Sequence, residues 1–131
     1  MNVTPKVVSQ LIIESCSNFP RKKACILDET FITYSELFDL ATALASIMIR
    51  EANIRQGDVV AQCAHRSIHM IVGMVAIQLC GAIYCPLHPE EPLSRKKYIV
   101  ENVNAKVLLT TCSESLQIKA LRIDEIKSVA N

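Results

Sequence analysis

Between Ile68 and Pro92 the chain reads IHMIVGMVAIQLCGAIYCPLHPEEP, and few folds can hold such a stretch. It opens as an apolar run that suits a buried helix and passes through Gly81 into a shorter apolar run, Ala82 to Leu87. It then breaks at Pro86, Pro89 and Pro92. Glycine lets a chain stop a helix and turn, and proline stiffens the backbone beside it. The order reads as helix, tight turn, buried strand, rigid loop. The uncharged segment from Met70 to Leu87 approaches the roughly 18 residues that suggest a membrane span. Gly81 and Pro86 split it, Gln78 lies inside it and no second span comes after it, so the stretch reads as the core of an α/β domain.

The flanks extend this pattern. Val59 to Cys63 forms a short, largely apolar strand of the kind buried on both faces of a parallel sheet. With a helix from about Ser67 to Cys80 and a strand from about Ile83 to Pro86, it makes a βαβ crossover. A second crossover comes next: Glu90 to Asn102 reads as a helix beginning near Pro92, and Lys106 to Thr110 as the next strand. Beyond Cys112 the pattern weakens to a short helix over Ser113 to Ala120, a strand at Leu121 to Ile123 and a polar tail.

Upstream, Thr4-Pro5 has the form of a helix start, and Val7, Val8, Leu11, Ile12 and Ser15 keep helical spacing until Asn18 to Pro20. Ala24 to Leu27 and Phe31 to Thr33 read as a strand hairpin turning at Asp28, Glu29 and Thr30. Thr33-Tyr34-Ser35-Glu36 predicts a capping box. Behind it Leu37, Leu40, Ala41, Leu44, Ala45 and Met48 keep to one helical face. The fold class is α/β: an N-terminal helix, a short hairpin, then a βαβαβ parallel sheet with helices on its faces. Residues 1–131 are read as a single partial domain.

Composition excludes several functions. A net charge of +1 favours no nucleic acid, acidic lipid or acidic substrate, and 5% aromatics without Trp offer no stacking platform. The N-terminus MNVTPKVVSQ lacks the basic start and apolar core of a secretory signal. Six cysteines include no Cys-x2-Cys pair, and most have apolar neighbours. Free thiols in a cytoplasmic protein are therefore expected over a disulfide framework.

The residues taken alone supply no active site. Three glycines, at 57, 73 and 81, cannot build a phosphate-binding loop. No serine stands in a nucleophile elbow, and no cysteine stands beside an activating histidine. Glu36 and Asp39 suit a helix dipole better than acid–base work. Arg21, Lys22 and Lys23 read as a solvated loop. His65 and His69 share a helix face at a metal-binding step, but no third ligand has recognisable spacing. A parallel sheet binds ligands at the carboxyl ends of its strands, here Ala64-His65-Arg66, Leu87-His88-Pro89 and Thr110-Thr111-Cys112.

Four segments in order then carry a family resemblance. Ile32 to Leu37, ITYSEL, resembles the first core motif of adenylate-forming enzymes, which include nonribosomal peptide synthetase adenylation domains, acyl-CoA synthetases and luciferases. Gly57 to Ala61, GDVVA, is similar to their Gly-Asp-x-Val strand entry. Ile77 to Leu87 resembles their second core motif, in which a helix ends in Gly and a strand carries Tyr-x-Pro. Pro92, Arg95, Tyr98, Ile99 and Ala105 to Thr110 match the helix and strand that come after it, and the peptide synthetase domains are the most similar. His88 departs from the pattern, which has Asp after Pro-Leu.

The resemblance implies activation of an amino or carboxylic acid with ATP and Mg2+ to an acyl-adenylate, for transfer to a thiol. The family's phosphate loop and its later nucleotide, magnesium and lysine motifs have no counterpart in these 131 residues. No catalytic, cofactor-binding or metal residue therefore carries over, and the isolated chain is expected to be inactive. The matched residues are scaffold: Thr33 and Glu36 cap a helix, Gly81 turns, and Tyr84 and Pro86 shape a strand. Expected partners are the remainder of a synthetase or a carrier domain. The alternative is a non-catalytic module that completes its open sheet edge with a partner chain or with itself.

Overall fold

The computed structural model describes residues 8–112 and 114–126. Helix α1 (Val8–Asn18) leads to the hairpin β1 (Lys23–Leu27) and β2 (Thr30–Thr33), which pair antiparallel. The Thr4-Pro5 helix start lies outside the described residues. Asp28 takes the left-handed conformation in the turn, at φ 55°, and the Thr30 hydroxyl donates to Leu27 O at 2.8 Å.

Helix α2 (Tyr34–Glu51) starts at the expected capping box. The Glu36 amide donates to Thr33 Oγ1 at 3.2 Å, and the Thr33 amide donates back to Glu36 Oε1 at 3.1 Å. Two backbone donors that a helix start leaves unpaired are thus satisfied together. Thr33→Ala removes one of these bonds and should destabilise the fold by about 1 kcal/mol. The measurement is urea unfolding, with a lower midpoint at unchanged slope.

Strand β3 (Val59–Cys63), helix α3 (Ile68–Leu79), strand β4 (Ile83–Leu87), helix α4 (Leu93–Asn102) and strand β5 (Val107–Thr110) complete the two crossovers. A further strand, β6 (Lys119–Arg122), pairs parallel to β5. The sheet order is β4-β3-β5-β6, with Val60 opposite both Tyr84 and Val107. The first crossover runs from β3 to β4 and the second runs back from β4 past β3 to β5, so right-handed connections set α3 and α4 on opposite faces. Val60, Val107 and Leu109 pack with Leu44, Met48 and Ala76 of α2 and α3. Ala61, Cys63 and Leu108 pack with Val100 of α4 on the other side.

Helix ends explain the turns. Gly81 lies just past the end of α3 at φ 68°, where the Ala82 amide donates to Ile77 O and the Gly81 amide to Gln78 O. This is the Schellman pattern, and a side chain at that φ would be strained. Asn104 ends α4 the same way at φ 58°, with Ala105 donating to Val100 O and Asn104 to Glu101 O.

The region after β5 differs from expectation. Residues 114–118 are not helical, and Gln117 stands at φ 62°, outside any right-handed helix. The strand expected at Leu121 to Ile123 begins at Lys119 instead, and Ile123–Glu125 is a short 3-10 turn. Leu116 and Ile123 are buried on opposite faces of the sheet, so tertiary packing sets this segment.

Candidate functional site

Strands β3, β4 and β5 run parallel, which places their exits together at one end of the sheet. This is where open parallel sheets take their ligands. After β3, Ser67 caps α3: its Oγ accepts from the Met70 amide at 3.2 Å and donates to His65 O at 2.9 Å. His65 therefore lies ahead of the helix and does not share a helical face with His69, contrary to the spacing-based expectation. Both histidines are exposed, and no group of three metal-binding side chains occurs among the described residues.

A cleft of about 470 Å3 opens between the exits of β3 and β4 and the start of α3. Gln62 and Tyr84 reach it from neighbouring strands, and Met70, His65, Arg66 and His88 line its rim. Gln62 is buried; its Nε2 donates to Met70 O at 3.1 Å and to Tyr84 Oη at 3.4 Å, while Oε1 has no donor. Burial pushes the Tyr84 phenol above its ordinary pKa, against the opposing effect of the Gln62 hydrogen bond. Oε1 lies against Gly73 of α3, where an added Cβ would stand 1.7 Å away. Pro86 comes next on that face of β4, an edge strand among the described residues, where a missing amide is tolerated.

His88, the departure from the family pattern, has a structural role. Its Nδ1 accepts from the Glu90 amide at 3.1 Å, and the Glu91 amide donates to His88 O at 3.0 Å. A carboxylate at this place would accept the same amide, so the imidazole substitutes in closing the loop.

The other face of the same sheet end holds groups that sequence reasoning missed. Lys96 of α4 is 1% exposed. Its Nζ donates to Pro89 O at 2.8 Å and pairs with the Glu114 carboxylate. Burial works to lower its pKa; hydrogen bonding to Glu114 and nearby negative groups outweigh it and hold the ammonium above its ordinary value. Lys96 thereby ties the loop after β4 to the segment after β5. The available signal was spacing, since Lys96 precedes the buried Val100 by one helical turn. Beside it the Cys63 and Cys112 sulfurs stand 3.8 Å apart. Burial, with the hydrogen bond to Cys112, pushes the Cys63 thiol up to about 11.

This sheet end shows no backbone cradle for phosphates and no nucleophile held by a base among the described residues. Lys96, Thr110 and the Gln62 amide nitrogen bond other groups of the protein, while Gln62 Oε1 has no partner.

Comparison with known proteins identifies the family. The model of the AMP-binding enzyme family matches residues 12–130. Tyrocidine synthase 3 of Brevibacillus parabrevis is 35% identical over 80% of this chain, and zwittermicin A synthase ZmaJ of Bacillus cereus is 33% identical over 91%. The chain spans only 2% and 24% of those proteins' lengths. Among solved structures, the N-terminal subdomain of Klebsiella oxytoca NpsA superposes with a TM-score of 0.80 at 26% identity, over 92% of this chain and 32% of that one. The chain belongs to the AMP-binding enzyme family, and its fold is that of the opening part of an adenylation-domain N-terminal subdomain.

Proposed function

We propose that these residues are the scaffold of an adenylation domain that activates an amino or carboxylic acid with ATP and Mg2+ and passes the acyl group to a thiol. The observation that carries this reading is the family match over residues 12–130 joined to the likeness to the NpsA subdomain. That subdomain has also been solved in complex with anthranilyl-AMSN. The residues of this chain position the sheet and its end loops; they do not hold phosphates or magnesium. Catalysis of this type rests on stabilising phosphoryl charge, which the groups described here do not do. The natural partner is then the remainder of a synthetase, including a carrier domain, and a solved relative, NpsA-ThdA, is an artificially fused adenylation–PCP di-domain. Six free thiols suit a cytoplasmic setting.

A second reading rests on the sheet edges. Strands β4 and β6 each have one unpaired side among the described residues, and Ile83 on β4 is 54% exposed. Such edges suit pairing with another chain in a non-catalytic module. Sequencing the transcript through and past the Asn131 codon separates the two. The adenylating reading expects the frame to run on into a Ser/Thr/Gly-rich loop with a lysine. A stop codon directly after Asn131 contradicts it and favours the module.

A further inference from the structure

Strand β3 ends in Cys63, which stands opposite Thr110 at the end of β5. Two residues on, the chain turns back. The Thr110 hydroxyl accepts from the Cys112 amide at 2.8 Å and donates to Cys112 O at 3.2 Å. Arg122 of β6 also donates to Cys112 O, at 3.0 Å. The backbone of Cys112 is thus held on two sides, and its side chain lies over the end of β3. The two sulfurs are 3.8 Å apart, and the Cys112 thiol reaches Cys63 O at 3.6 Å. No other pair of cysteine sulfurs is in such contact among the described residues, and all six cysteines are free.

We propose that Cys63 and Cys112 form an oxidisable dithiol, a modification site where a disulfide links the end of β3 to the turn after β5. The two thiols are already in van der Waals contact, and a disulfide would bring their sulfurs to about 2.0 Å. The two thiols differ in access: Cys63 is 3% exposed, whereas Cys112 is only half-buried. A hydroperoxide is the oxidant. The Cys112 sulfur attacks one peroxide oxygen, the O–O bond breaks, and Cys112 becomes a sulfenic acid with release of water, or of an alcohol from an alkyl peroxide. The Cys63 sulfur then attacks the sulfenic sulfur, its proton leaves with the departing hydroxyl as a second water, and the disulfide forms. Two electrons pass from the thiols to the peroxide. Burial of Cys63, which raises its pKa, slows the second step.

The test treats the reduced 131-residue chain with hydrogen peroxide, natively and in urea, blocks the remaining thiols by alkylation, and maps tryptic peptides without reductant. The native sample should lose two of its six thiols and, before alkylation, about 2 Da. It should yield one cross-linked pair, the Cys63 and Cys112 peptides, which dithiothreitol separates again. In urea, where geometry no longer selects a partner, the same dose should scatter over other pairings. Oxidised native protein should also melt at a higher temperature, and the rise should vanish in both Cys112→Ser and Cys112→Ala. Native peptides that remain separate, or Cys112 found linked to a different cysteine, would overturn the assignment.

Discussion

Lys96→Ala should lower the stability of this fold by about 3 kcal/mol, the sum of a buried side-chain truncation and a lost charge-assisted bond. Lys96 is 1% exposed, so its whole stem is core, and its removal leaves a cavity beneath the end of the sheet. Pro89 O and the Glu114 carboxylate also lose their donor, the Lys96 Nζ. The penalty falls short of that for a fully buried ion pair because the Glu114 side chain is 39% exposed and can rehydrate. Lys96→Met fills the volume without the charge and should cost about half as much. The ammonium is held above its ordinary pKa, so its contribution is complete below the free-lysine value of about 10.4 and is lost as pH rises through the higher folded value. Urea unfolding at neutral pH and near pH 11 measures both effects, and the gap between wild type and Lys96→Met should narrow at the higher pH. An unchanged urea midpoint in Lys96→Ala would show that the clamp carries no stability.

Gly73→Val should be similarly costly, about 3 kcal/mol, through overpacking at a helix–sheet contact. A Cβ at Gly73 falls 1.7 Å from Gln62 Oε1, 2.9 Å from its Cδ and 3.3 Å from Ile123 Cδ1. The Gln62 amide is the end of a flexible side chain, but it is buried and its Nε2 is committed to Met70 O and Tyr84 Oη. Moving it aside breaks both bonds. Gly73→Ala regains about 1 kcal/mol of helix propensity and should cost only about 1 kcal/mol net. The diagnostic is coupling: in a Gln62→Ala background, Gly73→Ala should be neutral or stabilising, a departure from additivity of at least about 1 kcal/mol. Additive losses would place the clash elsewhere.

The sequence disclosed the features that repeat at helix or strand spacing. The α2 face from Leu37 to Met48, the doubly buried β3, the Thr33 capping box and the turn at Gly81 are local patterns, and the structure contains each of them. The features it concealed depend on residues distant along the chain. Lys96 stands in a run of three basic residues and is buried because Glu114 and Pro89 meet it in space. Cys63 and Cys112 lie 49 residues apart and meet only because β3 and β5 are neighbours. Gln62 sits in an otherwise apolar strand, and its burial rests on an absent side chain on Gly73, a helix residue across the interface. The segment after Cys112 reads as a helix by local pattern alone, yet its order comes from pairing with β5 and from burial of Leu116, not from periodicity. His65 has the spacing of a helix residue, but Ser67 begins that helix two residues later.

The central claim is that these residues build an adenylation scaffold and do not themselves activate an acid. The most direct test is ATP–pyrophosphate exchange by the purified 131-residue chain, in a sample that unfolds cooperatively in urea, against a panel of amino and aryl acids. The expected result is no acid-dependent exchange above the protein-free control. Exchange that depends on both ATP and one acid would contradict the claim, and would place phosphate-binding groups among residues assigned here to structure alone.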